Sequence, residues 1–234
     1  MKNATTLGAK LAFIALAIVN YSWAETTREK AEDRLQRAAR VLHDIVNTPD
    51  KGIPDEVIKH AKCMAVVPHE ITVALGIGGR IGKGVATCRT GNGWSAPAFF
   101  SVTGGSWGAQ IGIEGVDNVL MIMNEKGMQR LLSDKFQIGA DASAAAGPVG
   151  RHAAAGTDWK LETEILSYSR AKGVFAGVSL NGAYVRPDRD ANEAMYGPDV
   201  TPRKILSGQV PAPPAADVFL AAVRDAEKKA ETKS

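Results

Sequence analysis

The stretch from Tyr168 to Gly182, YSRAKGVFAGVSLNG, places Gly173, Gly177 and Gly182 inside a run of apolar residues. A glycine in a helix interior costs about 1 kcal/mol relative to alanine, so a run with three of them does not read as helix. In a strand, glycine marks a bulge, a bend or a close backbone contact. The habit recurs at Gly76–Gly84 and Gly104–Gly115. The middle of the chain is thereby restricted to glycine-punctuated β-structure.

Around it the order of elements is legible. Ala31, Leu35, Ala38, Leu42, Ile45 and Val46 recur at helical spacing, with Lys30, Arg34, Arg37 and Arg40 mostly on the other side. This predicts an amphipathic helix to Asn47, opened by a capping box at Thr26 and Glu29. Pro54 opens a short helix through His60. Strands follow at Cys63–Pro68, Ile71–Ile77 and Val85–Arg89, with GGRIGKG (Gly78 to Gly84) as a glycine-rich hairpin turn. Gly91–Gly93 is a further turn. Strands at Pro97–Thr103 and Ala109–Ile113 flank Gly104–Gly108, and Asn118–Met123 is a buried apolar run. Glu125–Leu132 is a helix, and Gly139–Gly150 is left open between helix and strand. Lys160–Ser169 and Val174–Val185 are strands. Asp188–Met195, Pro202–Leu206 and Asp217–Lys229 are helices, with a proline-rich connector at Pro211–Pro214. Strands spaced by tight turns favour antiparallel pairing. The expected fold is α+β: a curved antiparallel sheet or partly closed β-barrel flanked by helices at both chain ends.

The first 24 residues read as a targeting segment. Lys2 and Lys10 precede an apolar run, Leu11 to Val19, and Ser22-Trp23-Ala24 forms a cleavage site. The expectation is a signal peptide cut after Ala24, a periplasmic or secreted location, and a single domain over 25–234. The alternative is an uncleaved anchor. The chain has 28 basic and 25 acidic residues; without Lys2 and Lys10 the balance is 26 against 25. That near-neutral total argues against a nucleic-acid binder, and any electrostatic partner must meet a local patch.

Cys63 and Cys88 lie in apolar, strand-like segments. In an oxidising compartment two such residues pair; the alternative is two buried thiols. With His60 and His69 they fit no tight zinc pattern, and neither metal nor cofactor is expected. Gly104-Gly105-Ser106-Trp107-Gly108 matches the G-x-S-x-G of a hydrolase elbow, with Ser106 as nucleophile and only His152 downstream as base. The motif requires a strand before it and a helix after it, and the following AQIGIEG reads as a strand. No enzyme is expected. Arg80, Lys83, Arg89, Arg151, Arg170 and Lys172 fall at strand ends or turns. If several share one face they attract phosphate headgroups; otherwise they are ordinary solvated charges.

Six blocks together resemble the SYLF domain family, a lipid-binding or yeast actin-patch-type domain. They are AKCMAVVP (Ala61 to Pro68), GIGGRIGKGVATCR (Gly76 to Arg89), GWSAPAFF (Gly93 to Phe100), GAQIG (Gly108 to Gly112), GADASAAAGPVGR (Gly139 to Arg151) and YSRAKGVFAGVSLNGAYV (Tyr168 to Val185). The resemblance covers about Asp55 to Tyr196. It implies a non-enzymatic module with affinity for phosphoinositides and other anionic lipids, and a membrane role for the segment Thr26 to Val46. Some fungal members also bind actin, a partner not expected behind a bacterial-type leader. An assembly protein that binds another envelope protein is the alternative function.

Overall fold

The computed structural model describes residues 4–48, 52–148, 163–171, 174–177 and 180–232, with side chains outside 4–25, 73–77, 106–114, 171 and 174–177. The first helix, α1 (Ala4–Asn47), runs straight through Thr26 instead of starting there. No glycine or proline stands between Ala9 and Asn47, so nothing interrupts it. Ala31, Leu35, Ala38, Leu42 and Ile45 are all at most 1% exposed, which is the stripe expected. The side chains of the expected leader lie outside those described. Among the described residues no helix is long and apolar enough to cross a membrane. A short α2 (Asp55–His60) follows Pro54.

The central β-structure is simpler than its glycines imply. β1 (Cys63–Thr90) and β3 (Ala98–Ile122) are each one long strand, paired antiparallel from Cys63↔Ile122 to Ala86↔Ala98. The predicted hairpin at Gly78–Gly84 is therefore corrected: those residues continue β1. Their glycines answer a packing demand. A Cβ on Gly84 would lie 2.4 Å from the Phe100 ring, its cross-strand neighbour. One on Gly82 would lie 2.6 Å from Val67 Cγ1, a residue of the same strand. A strand touches itself 15 residues later only if it curls. Register shifts at Val67/Glu70 and Leu75/Gly76 supply the bends. The reversal between the two strands lies at β2 (Gly93–Trp94), after a turn at Gly91–Asn92, as predicted.

The other strands attach at the two ends of this ribbon. β6 (Ile165–Ala171) pairs with β3 at Asp117–Ile122, and carries β7 (Val174–Gly177) and β5 (Ala144–Ala146). β8 (Tyr184–Pro187) pairs with β3 at Phe100–Thr103 and carries β4 (Phe136–Gln137). The pairing of β5 with β6 is parallel, so the curled half-barrel is mixed and not wholly antiparallel. The ambiguous Gly139–Gly150 stretch thus contains a strand as far as it is described. Its Gly147 has a structural reason, because a Cβ there would sit 2.2 Å from the Tyr168 ring. Helix α3 (Glu125–Leu131) follows β3, capped by Asn124.

One sheet face packs on α1 and on the last helix, α6 (Asp217–Thr232), through Leu42, Met64, Phe99, Met121, Phe219 and Val223. The other face buries Val67, Phe100, Leu120, Ile138, Val185 and Leu206, with α5 (Pro202–Leu206) among them. Cys63 and Cys88 form a disulfide with Cα atoms 4.0 Å apart, joining the two ends of the curled β1.

A buried side chain of helix α4 (Arg189–Tyr196) ties it to β3. Asn192 accepts from the Phe99 N–H at 2.9 Å and donates to the Phe99 carbonyl at 2.8 Å, completing both backbone groups of a buried strand residue. Asn192 is 2% exposed. The Phe99 carbonyl also accepts from the Asp188 N–H at 3.0 Å, so Asn192→Ala leaves the Phe99 N–H without its partner, and the expected loss is about 2 kcal/mol of unfolding free energy, measured by urea denaturation.

Candidate functional site

The cations singled out from sequence are distributed over the molecule, and each described one meets a carboxylate. Arg89, at the end of β1, donates to the carbonyls of Ile58, Lys59 and Ala61, closing the C-terminal end of α2. It also pairs with Glu227 of α6 and stacks on Trp94 at 4.6 Å, whose Nε1 donates to the same carboxylate. Arg170, on β6, bonds Asp117 at 2.8 and 3.1 Å and Asp44 of α1. Asp117 also accepts from the His69 N–H at 2.9 Å, at the first bend of β1. Burial alone would raise Asp44, but the hydrogen bond and charge of Arg170 outweigh it and hold the carboxyl below its ordinary value. These two arginines tie helices to the sheet.

Arg80 stands 3.8 Å from Glu70, which is 2% exposed. Burial raises the Glu70 carboxyl, with Arg80 only partly opposing. Strand alternation puts Arg80 and Lys83 on opposite faces of β1, so these two do not share one face. Arg151 and Lys172 lie outside the described residues.

Lys83 is different. Its Nζ donates to Asp188 at 3.0 Å, yet the side chain is 61% exposed. Asp188 also meets Arg34 of α1 at 3.0 Å, and Arg34 is 6% exposed, 5.3 Å above the Phe99 ring and bonded to the Gly84 carbonyl. Burial would raise the Asp188 carboxyl; the Lys83 hydrogen bond and the Arg34 charge overcome this and hold it low. Burial lowers Arg34, with Asp188 opposing. Two cations share one carboxylate, so the cluster keeps a net positive charge whose exposed member is Lys83.

The register extends this charge into a row. Lys83 pairs with Ser101, and Ser101 with Arg186 of β8, so all three belong to one face. Arg186 is exposed and makes no ion pair among the described residues. The next row outward on that face is Ile81, Thr103 and Tyr184. Ile81 is 59% exposed, and Lys135 lies 4.4 Å over the Tyr184 ring. A cationic row thus borders an exposed isoleucine and a tyrosine. Sequence reasoning missed Arg34, Lys135 and Arg186. Arg186 follows a strand-like run, but nothing local shows that β8 lies beside β3.

The hydrolase alternative loses its geometry. Ser106 sits within continuous β3, opposite Gly78, with strand on both sides. No helix follows to build an elbow. His152 is outside the described residues. Among the described residues no three His, Cys, Asp or Glu side chains gather to hold a metal ion.

Comparison with known proteins gives the kinship. The family described as "Ysc84: Las17-binding protein actin regulator" matches residues 103–226, more than half of the 234. Protein YSC84 of Saccharomyces cerevisiae is 35% identical over 194 residues, 79% of this chain and 41% of that protein. LAS seventeen-binding protein 3 of the same yeast is 35% identical over 192 residues, 78% of this chain and 41% of its own length. The human SH3 domain-containing YSC84-like protein 1 is 30% identical over 189 residues, 78% of this chain and 55% of its length. The chain spans about two fifths to three fifths of the relatives it matches. The motif resemblance and the matched span agree: the chain belongs to the Ysc84 family, that of the SYLF domain.

Proposed function

We propose that this chain is a non-enzymatic lipid-binding module that docks on an anionic membrane surface through the Lys83–Ser101–Arg186 row and Ile81. The carrying observation is that row: two exposed cations on one sheet face, beside a 59% exposed isoleucine. Arg34 and Lys83 sharing Asp188 support it, because one positive charge stays uncompensated there. The leader-like residues 1–24 would place this surface in the cell envelope. Each Lys or Arg near an anionic surface contributes about 1 kcal/mol, screened by salt. Lys83→Gln with Arg186→Gln therefore lowers affinity for phosphatidylserine-containing vesicles about thirty-fold at low salt, an effect of about 2 kcal/mol. Co-sedimentation measures it, and unchanged affinity would remove the row from the site.

The family description favours a second reading, a protein partner of the kind the relatives' names print, such as Las17. It predicts partner binding indifferent to vesicle charge.

A further inference from the structure

Between its two ends no described strand other than its own two joins the β1–β3 ribbon. Among the described residues, β3 meets β8 only at Phe100–Thr103 and β6 only at Asp117–Ile122. In the span between, it pairs with β1 alone among the described residues, so each strand there has an edge that no described strand covers. The span also lacks charge: from Ile71 to Gly79 in β1 and from Ser101 to Ile113 in β3 there is no Asp, Glu, Lys or Arg. Glu70 and Glu114 bound it on one side, Arg80 and Lys83 on the other. Its bend is the register shift at Leu75/Gly76, and just outward of Ile81 the pairs are Gly79↔Gly105 and Ile77↔Trp107. A Cβ on Gly105 would meet nothing, and one on Gly79 would meet only a carbonyl oxygen at 3.8 Å. Among the described residues Ile71 (38%) and Ile81 (59%) are two of the three exposed large hydrophobics; the third, Val218, is on α6.

Water is a poor environment for an uncharged ribbon with exposed isoleucines and two edges that no described strand covers. The hydrocarbon core is also poor, because each unpaired backbone group there costs several kcal/mol. The interface suits both, since headgroups and water reach the edges while apolar side chains leave bulk water. The reach agrees. Ile81 lies five residue steps from the bend at Gly76, at most about 17 Å at 3.3 Å per residue, comparable with the roughly 15 Å of one leaflet of the core.

We propose that the bent, uncharged middle of the β1–β3 ribbon seats shallowly in one leaflet, with Lys83 and Arg186 at its base against lipid phosphates. The inference rests on the membrane reading above and adds the inserting element. The test uses the full chain with an environment-sensitive nitrobenzoxadiazole label on Ile81→Cys, on Ile71→Cys, and on Val218→Cys as reference. The native cysteines are paired and buried, so each variant offers one reactive thiol. Vesicles contain equal parts phosphatidylcholine and phosphatidylserine. The expected result is emission from positions 81 and 71 rising about twofold with a blue shift as the probe leaves water, and no change at 218. Lipids brominated near the headgroup end of the chain should quench it more than lipids brominated near the chain terminus. Sedimentation with vesicles but unchanged emission at 81 and 71 overturns this inference and leaves the membrane reading intact. So does a response at 218 alone, and stronger quenching from the chain terminus overturns the shallow placement. No sedimentation at all overturns both.

Discussion

Asp188→Ala is expected to lower the unfolding free energy by about 3–5 kcal/mol. Among the described residues the carboxylate is the only counter-charge that Arg34 meets, and Arg34 is 6% exposed. Its removal leaves a guanidinium held between the Phe99 ring and the Gly84 carbonyl with no anion. Lys83, already largely solvated, loses little. At about 2–4 °C per kcal/mol for a chain of this size, the melting temperature falls by roughly 6–20 °C. Arg34→Met with Asp188→Leu should recover most of the loss, since apolar replacement of both partners removes the stranded charge. A double-mutant cycle on the two sites reads the coupling directly. The pH dependence has a definite sign. The folded carboxyl is held below its ordinary value, so the folded state binds this proton less readily than the unfolded chain. Its contribution is complete above the unfolded value of about 3.9 and is lost as pH falls through the lower folded value. The acid limb of the stability curve should therefore flatten in Asp188→Ala.

The second large effect belongs to the disulfide. Cys63 and Cys88 are 25 residues apart in sequence and bound at the two ends of one strand. The bond holds β1 in the curl that brings Gly82 against Val67. By chain entropy, closing such a loop contributes about 3 kcal/mol, so Cys63→Ala with Cys88→Ala should lower the melting temperature by roughly 6–12 °C. Both residues are 0% exposed. Reductant alone should act slowly, and reductant with denaturant quickly. A thiol reagent added to the denatured, unreduced chain should find no reactive cysteine.

The helices were legible because their evidence is local. The stripe from Ala31 to Ile45, Pro54 before α2 and Asp188 before α4 each act within a few residues. The turn at Gly91–Asn92 was legible for the same reason, whereas the pairing of Cys63 with Cys88, 25 residues apart, was expected only from an oxidising compartment, with two buried thiols as the alternative. The glycines of β1 were not. A glycine that bends the chain and one that admits a ring have the same appearance in one sequence. What distinguishes Gly84 is Phe100, 16 residues on, and what distinguishes Gly82 is Val67 across the curl. Arg34 was assigned to the polar side of its helix, but it is buried because Asp188, 154 residues later, meets it there. The candidate site shows the same division. Lys83 was nominated from its position, whereas its neighbours in the row depend on β8 lying beside β3, a long-range pairing that no local pattern records.

The central claim is that this half-barrel presents cations and apolar surface to negatively charged lipid. Its most direct test is co-sedimentation of the full chain, at low salt, with vesicles of phosphatidylcholine alone and of phosphatidylcholine with phosphatidylserine. Binding to the anionic vesicles that weakens as salt is added, with little binding to the neutral ones, is the predicted result. Equal partition into both, or into neither, contradicts it.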